Sequence, residues 1–190
     1  MSVKLRKVMA ADSARLLAWR NAPEVSAYMY TDHLISQAEH DRWFAGIDAP
    51  DRRYWVITLD DQPVGLANLA QIDPLSKRCE WAYYLGESST RGRGVGSSVE
   101  YIVLRHVFET LKLNKLWCEV LASNEAVWKL HESFGFTREA LFRAHAFKAG
   151  KFEDVVGLGL LASDWRRVKP GIEERLASRG GDPAAIPDAE

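Results

Sequence analysis

The chain has 190 residues, 47% of them apolar, and its 25 Lys and Arg against 26 Asp and Glu leave a formal charge of −1. That is enough apolar material for the core of a single domain without disulfides or metals, while the near-neutral balance excludes general adhesion to nucleic acid or an anionic membrane, which depends on surplus Lys and Arg. No window approaches the roughly 20 apolar residues of a membrane span, and no apolar signal region follows Met1, so a cytoplasmic location is expected. In chain order, Val3 to Val8 reads as a strand, Asp12 as the cap of a helix through Trp19, and Asn21 with Pro23 as the start of a second short helix. Ser36 and Glu39 have capping-box spacing for a helix toward Ile47. Tyr54 to Leu59 and Val64 to Ile72 read as strands around the polar turn of residues 60–63, and Arg78 to Leu85 continues the antiparallel run. Val95, Val99, Val103, Val107 and Leu111 recur every four residues and predict a helix from about Gly94 to Leu111 with one apolar stripe. A strand over residues 116–120, a short helix from Asn124, and strands over residues 136–147 and 151–161 complete the domain, placed at residues 1–167. From Val168 onward Pro, Gly and charged residues predict a mobile, non-catalytic tail, residues 168–190.

Cys79 and Cys118 fall within strand-like runs with no CxxC spacing, and the five histidines show no metal-ligand pattern, so buried free thiols and no metal are expected. The most informative segment is Arg91-Gly92-Arg93-Gly94-Val95-Gly96, which leaves a strand and opens a helix. Glycines allow close backbone approach to an anion, and a helix N-terminus offers unpaired N–H groups and a positive dipole end. The Walker lysine and hydroxyl are missing, and glycines spaced by two do not fit the dinucleotide-binding pattern.

What remains, Arg-x-x-Gly-x-Gly in mid-chain, resembles the acetyl-CoA pyrophosphate loop of the GNAT superfamily of N-acetyltransferases. The segment from Asn124 through Leu130 and His131 to Gly135-Phe136 resembles that family's second signature, in the expected order and distance, with Gly135 where the helix ends. The resemblance implies an α/β (α+β) fold: a mixed, mostly antiparallel sheet of six to seven strands, flanked by helices and splayed between the fourth and fifth. It also implies acetyl-CoA as co-substrate, held by Tyr84, Leu85, Arg91, Gly92, Arg93, Gly94, Val95, Gly96 and Asn124, and direct transfer in a ternary complex. A bulge near Tyr83, Tyr84 and Leu85 would present a backbone N–H to the thioester oxygen.

Acyl transfer to an amine needs a proton acceptor and a donor for the leaving thiolate. His131 stands where the family commonly carries Tyr and is the candidate donor, against the alternative of a surface histidine beside Glu132. Glu80, Glu119, His40 or a relayed water are the candidate bases. In the N-terminal half, Arg20, Asn21, His40, Trp43 and Trp81 combine aromatic planes with hydrogen-bonding groups suited to a nucleotide-linked acceptor. Trp19-Arg20-Asn21, His40-x-x-Trp43 and Gly150 to Asp154 resemble the branch that acetylates the 4-amino group of a UDP-linked 4-amino-4,6-dideoxy sugar in pseudaminic acid synthesis and flagellin glycosylation. Acetylation of protein N-termini and a non-catalytic acyl-CoA sensor stay open as alternatives, as does a homodimer.

Overall fold

The computed structural model describes residues 2–90, 92–178, 183, 186, 187 and 189. Seven strands form one sheet: β1 (Val3–Lys7), β2 (Arg53–Leu59), β3 (Gln62–Asp73), β4 (Arg78–Leu85), β5 (Lys115–Leu121), β6 (Thr137–Lys148) and β7 (Lys151–Leu161). Their order is β1-β2-β3-β4-β5-β7-β6, antiparallel at every neighbouring pair except the parallel pair β4 and β5. The mixed α/β architecture expected from the motifs is the one observed. β2 and β3 join through Asp60 and Asp61, both with positive φ (49° and 64°), the conformation a tight two-residue hairpin demands and that Asp tolerates.

Helices α1 (Ser13–Asn21), α2 (Pro23–Ser26) and α3 (Gln37–Ala45) occupy the N-terminal half. The Ser36 and Glu39 capping box forms, with Glu39 N–H donating to Ser36 Oγ and Ser36 N–H to Glu39 Oε2. Asp12 differs from the expected cap: it precedes α1 in position, but its buried carboxylate turns back to accept from Arg6 Nη1 and Nη2, both at 2.8 Å, and from the Met9 N–H. That pairing holds the Asp12 carboxyl below the ordinary carboxylate range, the Arg6 hydrogen bond leading and outweighing burial.

Helix α4 (Val95–Arg105) continues through a π-helical turn, His106–Thr110. Its Val95, Val99, Val103 and Val107 are all buried against the main core under the sheet. Helix α5 (Glu125–Ser133) precedes β6. A second, smaller core of Val8, Leu16, Trp19, Ile47, Val56 and Leu66 lies beneath α1 and α3 on the other face.

The expected tail boundary after residue 167 needs correction. Helix α6 (Ala162–Ser178) runs straight through it, with Trp165, Ile172 and Leu176 buried. Ile172 and Leu176 are one helical turn apart and extend the apolar face begun by Trp165 and Val168, so burial overrides the helix-breaking tendency of Pro170 and Gly171. Among the described residues no helix is long and apolar enough to cross a membrane.

Candidate active site

Strands β4 and β5 pair over only three residues, from Arg78↔Lys115 to Glu80↔Trp117, and then part. A cleft of about 610 Å³ opens between them, walled by β4, the glycine turn, β5, α5 and the segment around α2. The splay expected between the fourth and fifth strands is therefore present. The bulge expected near Tyr83 to Leu85 is not: β4 stays in unbroken register with β3 from Gly65↔Leu85 to Ala70↔Glu80 and shifts only toward Asp73↔Arg78, at the other end. Short pairing with β5, rather than a bulge, frees the backbone at the cleft.

At one end of the cleft the chain offers backbone. Gly94 is the N-cap of α4 in the left-handed region (φ 79°), where a Cβ is strained. In the first intrahelical bond Ser98 N–H donates to Gly94 O (3.1 Å), so the amides of Val95, Gly96 and Ser97 precede it at the positive end of the helix. A Cβ on Gly96 would come 2.9 Å from Tyr83 Oη, so the turn has no room for a larger residue. Gly92, Gly94, Val95 and Gly96 line the cleft together with Tyr84, Leu85 and Asn124. Arg93 is exposed on the same turn, and Arg91 lies outside the described residues. Asn124 occupies the N-cap of α5, but its side chain makes no capping bond and remains available to the cleft. Bare amides at a helix start, with glycines in front, fit the pyrophosphate of acetyl-CoA.

The middle of the cleft holds the titratable groups. His131 is no surface residue: it is 3% exposed, its ring lies against Trp81 (5.1 Å between centroids) and Phe136 (5.3 Å), and its Nδ1 is 2.9 Å from Glu100 Oε1. Cys118, also buried at the cleft, stands beside the same imidazole. Burial alone would lower the pKa of His131, but the Glu100 carboxylate and Cys118 outweigh it and push it up to about 10. Glu80 and Glu119 both face the cleft from adjacent strands. Burial raises the Glu80 carboxyl, a hydrogen bond from Gln71 opposes the rise, and the neighbouring Glu119 adds to it. Tyr30 donates to Glu119 Oε2 at 2.5 Å and so spans the cleft mouth.

The far wall is assembled from distant parts of the chain. Asn21 clamps the loop after α2 at two points, its Nδ2 donating to Ile35 O and its Oδ1 accepting from Ile35 N, both at 2.9 Å. The tip of the β6–β7 hairpin holds the same loop: the buried Lys148 Nζ donates to Thr31 O (3.0 Å), and Ala149 N–H donates to Asp32 (3.0 Å). These contacts set Tyr28, Met29 and Tyr30 along the cleft, residues for which no local motif spoke. Arg20 is not in the cleft lining but stands beside Tyr84, a cleft residue whose side chain packs on the second core; Arg20 Nη1 and Tyr84 Oη are both buried with no hydrogen-bond partner.

The aromatic residues expected to stack on an acceptor are placed differently. Trp81 is 1% exposed, stacked on Tyr83 (5.5 Å, 17°) and covered by His131 and Phe136, so it floors the cleft and presents no free face. Trp43 packs edge-on against Tyr54 beneath α3, and His40, 3% exposed, bonds Ser13 Oγ at 2.9 Å beside it. Neither lines the cleft, because α3 turns that face toward the second core.

A sheet split between a parallel pair, a glycine turn into a helix at the split and carboxylates beneath it define a GNAT acetyltransferase, and the chain belongs to that family: the Acetyltransferase (GNAT) domain pattern matches residues 2–137. It is an acyltransferase, and acetyl-CoA is the co-substrate of the class. Among curated relatives, Acetyltransferase PseH of Campylobacter jejuni is 27% identical over 139 residues, 71% of this chain and 85% of that protein. Spermidine N(1)-acetyltransferase of Escherichia coli is 23% identical over 156 residues, covering 82% and 83%. The crystal structure of spermidine N-acetyltransferase from Vibrio cholerae with CoA and spermine superposes with a TM-score of 0.81 at 21% identity, over 87% of this chain and 98% of that one, a likeness of fold.

Proposed function

We propose that the enzyme transfers acetyl from acetyl-CoA to the 4-amino group of a UDP-linked 4-amino-4,6-dideoxy sugar, a step of pseudaminic acid synthesis and flagellin glycosylation, by direct transfer in a ternary complex. The observation that carries this reading is Arg20 beside the cleft residue Tyr84: a half-buried guanidinium whose Nη1 is shut off from water with no hydrogen-bond partner calls for an anionic oxygen from a ligand. The Trp19-Arg20-Asn21 motif and the match to Acetyltransferase PseH lend support. In this reading Gly92 to Ser97 cradle the CoA pyrophosphate and Asn124 meets the pantetheine arm. Glu119 or Glu80 takes the proton of the incoming ammonium, Tyr30 yielding its hydrogen bond to the acceptor. His131 lies at the cleft where the departing thiolate must be protonated.

A second reading rests on one different observation. Glu24, Glu80 and Glu119 line the cleft, and carboxylates beside Tyr28 and Tyr30 suit a polycationic amine such as spermidine. Initial rates of thiol release from acetyl-CoA separate the two. Turnover with the UDP-4-amino-sugar and not with spermidine or Ala- and Ser-starting peptides is the expected result. Turnover with spermidine alone assigns the carboxylates to substrate recognition and removes the nucleotide.

A further inference from the structure

Behind the cleft, one buried polar pair has no counterpart in the motifs. Glu100 projects from α4 into the main core and is 0% exposed. Its Oε1 meets His131 Nδ1 at 2.9 Å, and its Oε2 has no hydrogen-bond donor at all. A carboxylate removed from water with a single partner is tolerable when that partner is a cation, since an uncompensated buried charge is among the costliest features a core can hold. The groups that face the imidazole from the surrounding elements are Glu100 from α4, Cys118 from β5 and Tyr83 from β4, with Trp81 and Phe136 closing the remaining sides. Glu100 is the one carboxylate among them.

We propose that Glu100 is a positioning residue for acetyl transfer: it holds His131 as a doubly protonated imidazolium, with Nδ1–H tied to the carboxylate and Nε2–H left to protonate the CoA thiolate. This rests on the reading of His131 as the proton donor given above. The amine nitrogen bonds to the acetyl carbon, the C–S bond breaks with its electron pair passing to sulfur, and the Nε2 proton moves to that sulfur. His131 is left neutral, still donating through Nδ1 to Glu100, and solvent reprotonates Nε2 after CoA departs. The proton shed by the amine passes to the cleft carboxylates.

A tyrosine at this position carries its proton on one oxygen and needs no second contact. A histidine has two nitrogens, and without a partner on one of them neither the tautomer nor the charge state is set. Glu100 settles both. The raised affinity of His131 for its proton, about 10 where a histidine is ordinarily near 6.5, is what such a pair produces. It keeps the donor loaded throughout the neutral range, against a thiol that ordinarily titrates near about 8.5.

The test compares wild type, Glu100→Gln, His131→Gln and the double variant in kcat and acetyl-CoA KM from pH 6 to 9.5. In Glu100→Gln the imidazole loses its anion and burial drives it toward the neutral form. The loss in kcat should therefore grow with pH, from a few-fold at pH 6 to about 100-fold at pH 9, with acetyl-CoA KM unchanged. The double variant should be no slower than His131→Gln, because both changes remove one function. A kcat profile for Glu100→Gln parallel to wild type at any level, or wild-type rates in His131→Gln, overturns the proposal. Should Glu100→Gln fail to fold, ring nitrogen NMR of His131 in the wild-type protein at pH 8 decides. Two protonated nitrogens are expected, a neutral ring contradicts the proposal, and neither result depends on which amine the enzyme accepts.

Discussion

The two walls of the cleft differ in what they present. The wall from β4 through the glycine turn to α5 offers backbone amides in a continuous stretch, set by a left-handed Gly94 and a crowded Gly96. The opposite wall offers side chains, Tyr28 and Tyr30, on a loop held by the Asn21 and Lys148 clamps that reach across the chain, with Arg20 behind it beside Tyr84. Backbone recognition suits a co-substrate common to a whole family, since it depends on chain path more than on residue identity. Side-chain recognition suits an acceptor that differs between members, and substitutions there change the substrate while the fold stays intact.

If the division is sound, each wall can be damaged alone. The largest effect is expected at Gly94→Val, which forces a β-branched residue into a left-handed position at the cradle. Acetyl-CoA affinity should fall by about 100-fold or more while acceptor affinity is kept, as read by calorimetry. Next come the carboxylates between the walls. Glu119→Gln or Glu80→Gln should lower kcat by about 100-fold with acetyl-CoA binding intact, and changes below about 3-fold in both would remove carboxylate base catalysis from the mechanism. Arg20→Gln should raise the acceptor KM about 10-fold and leave the acetyl-CoA KM alone, because one charge-assisted contact is lost from one wall.

The same contrast explains what was legible in the sequence. The glycine turn, the four-residue valine stripe, the hairpin at Asp60 and Asp61 and the strand boundaries of β4 and β7 follow from local spacing, and local spacing is what a single sequence displays. The Tyr30 contact to Glu119 joins residues 89 apart and the Lys148 contact to Thr31 joins residues 117 apart, so no window of sequence contains either. Trp43 and His40 showed the right chemistry at helical spacing, but periodicity gives a shared face without saying which of two cores that face meets. Glu100 sat unmarked in a valine-rich helix, and a lone acidic residue on an apolar face was the one signal that could have drawn notice to it.

The smallest expected effect is on stability. His131 binds its proton more tightly folded than unfolded, so its contribution is fully present below pH about 6.5 and is lost as pH rises through about 10. Thermal melting of the wild type should decline across that window more steeply than that of Glu100→Gln, in which the pair is already broken.

The most direct measurement is calorimetric titration of CoA and, separately, UDP into wild type, Gly94→Val and Arg20→Gln. Separate walls require that Gly94→Val lose CoA and keep UDP, and that Arg20→Gln lose UDP and keep CoA. Failure of wild type to bind UDP, or loss of the same ligand in both variants, would contradict the division of the cleft and with it the nucleotide-sugar acceptor.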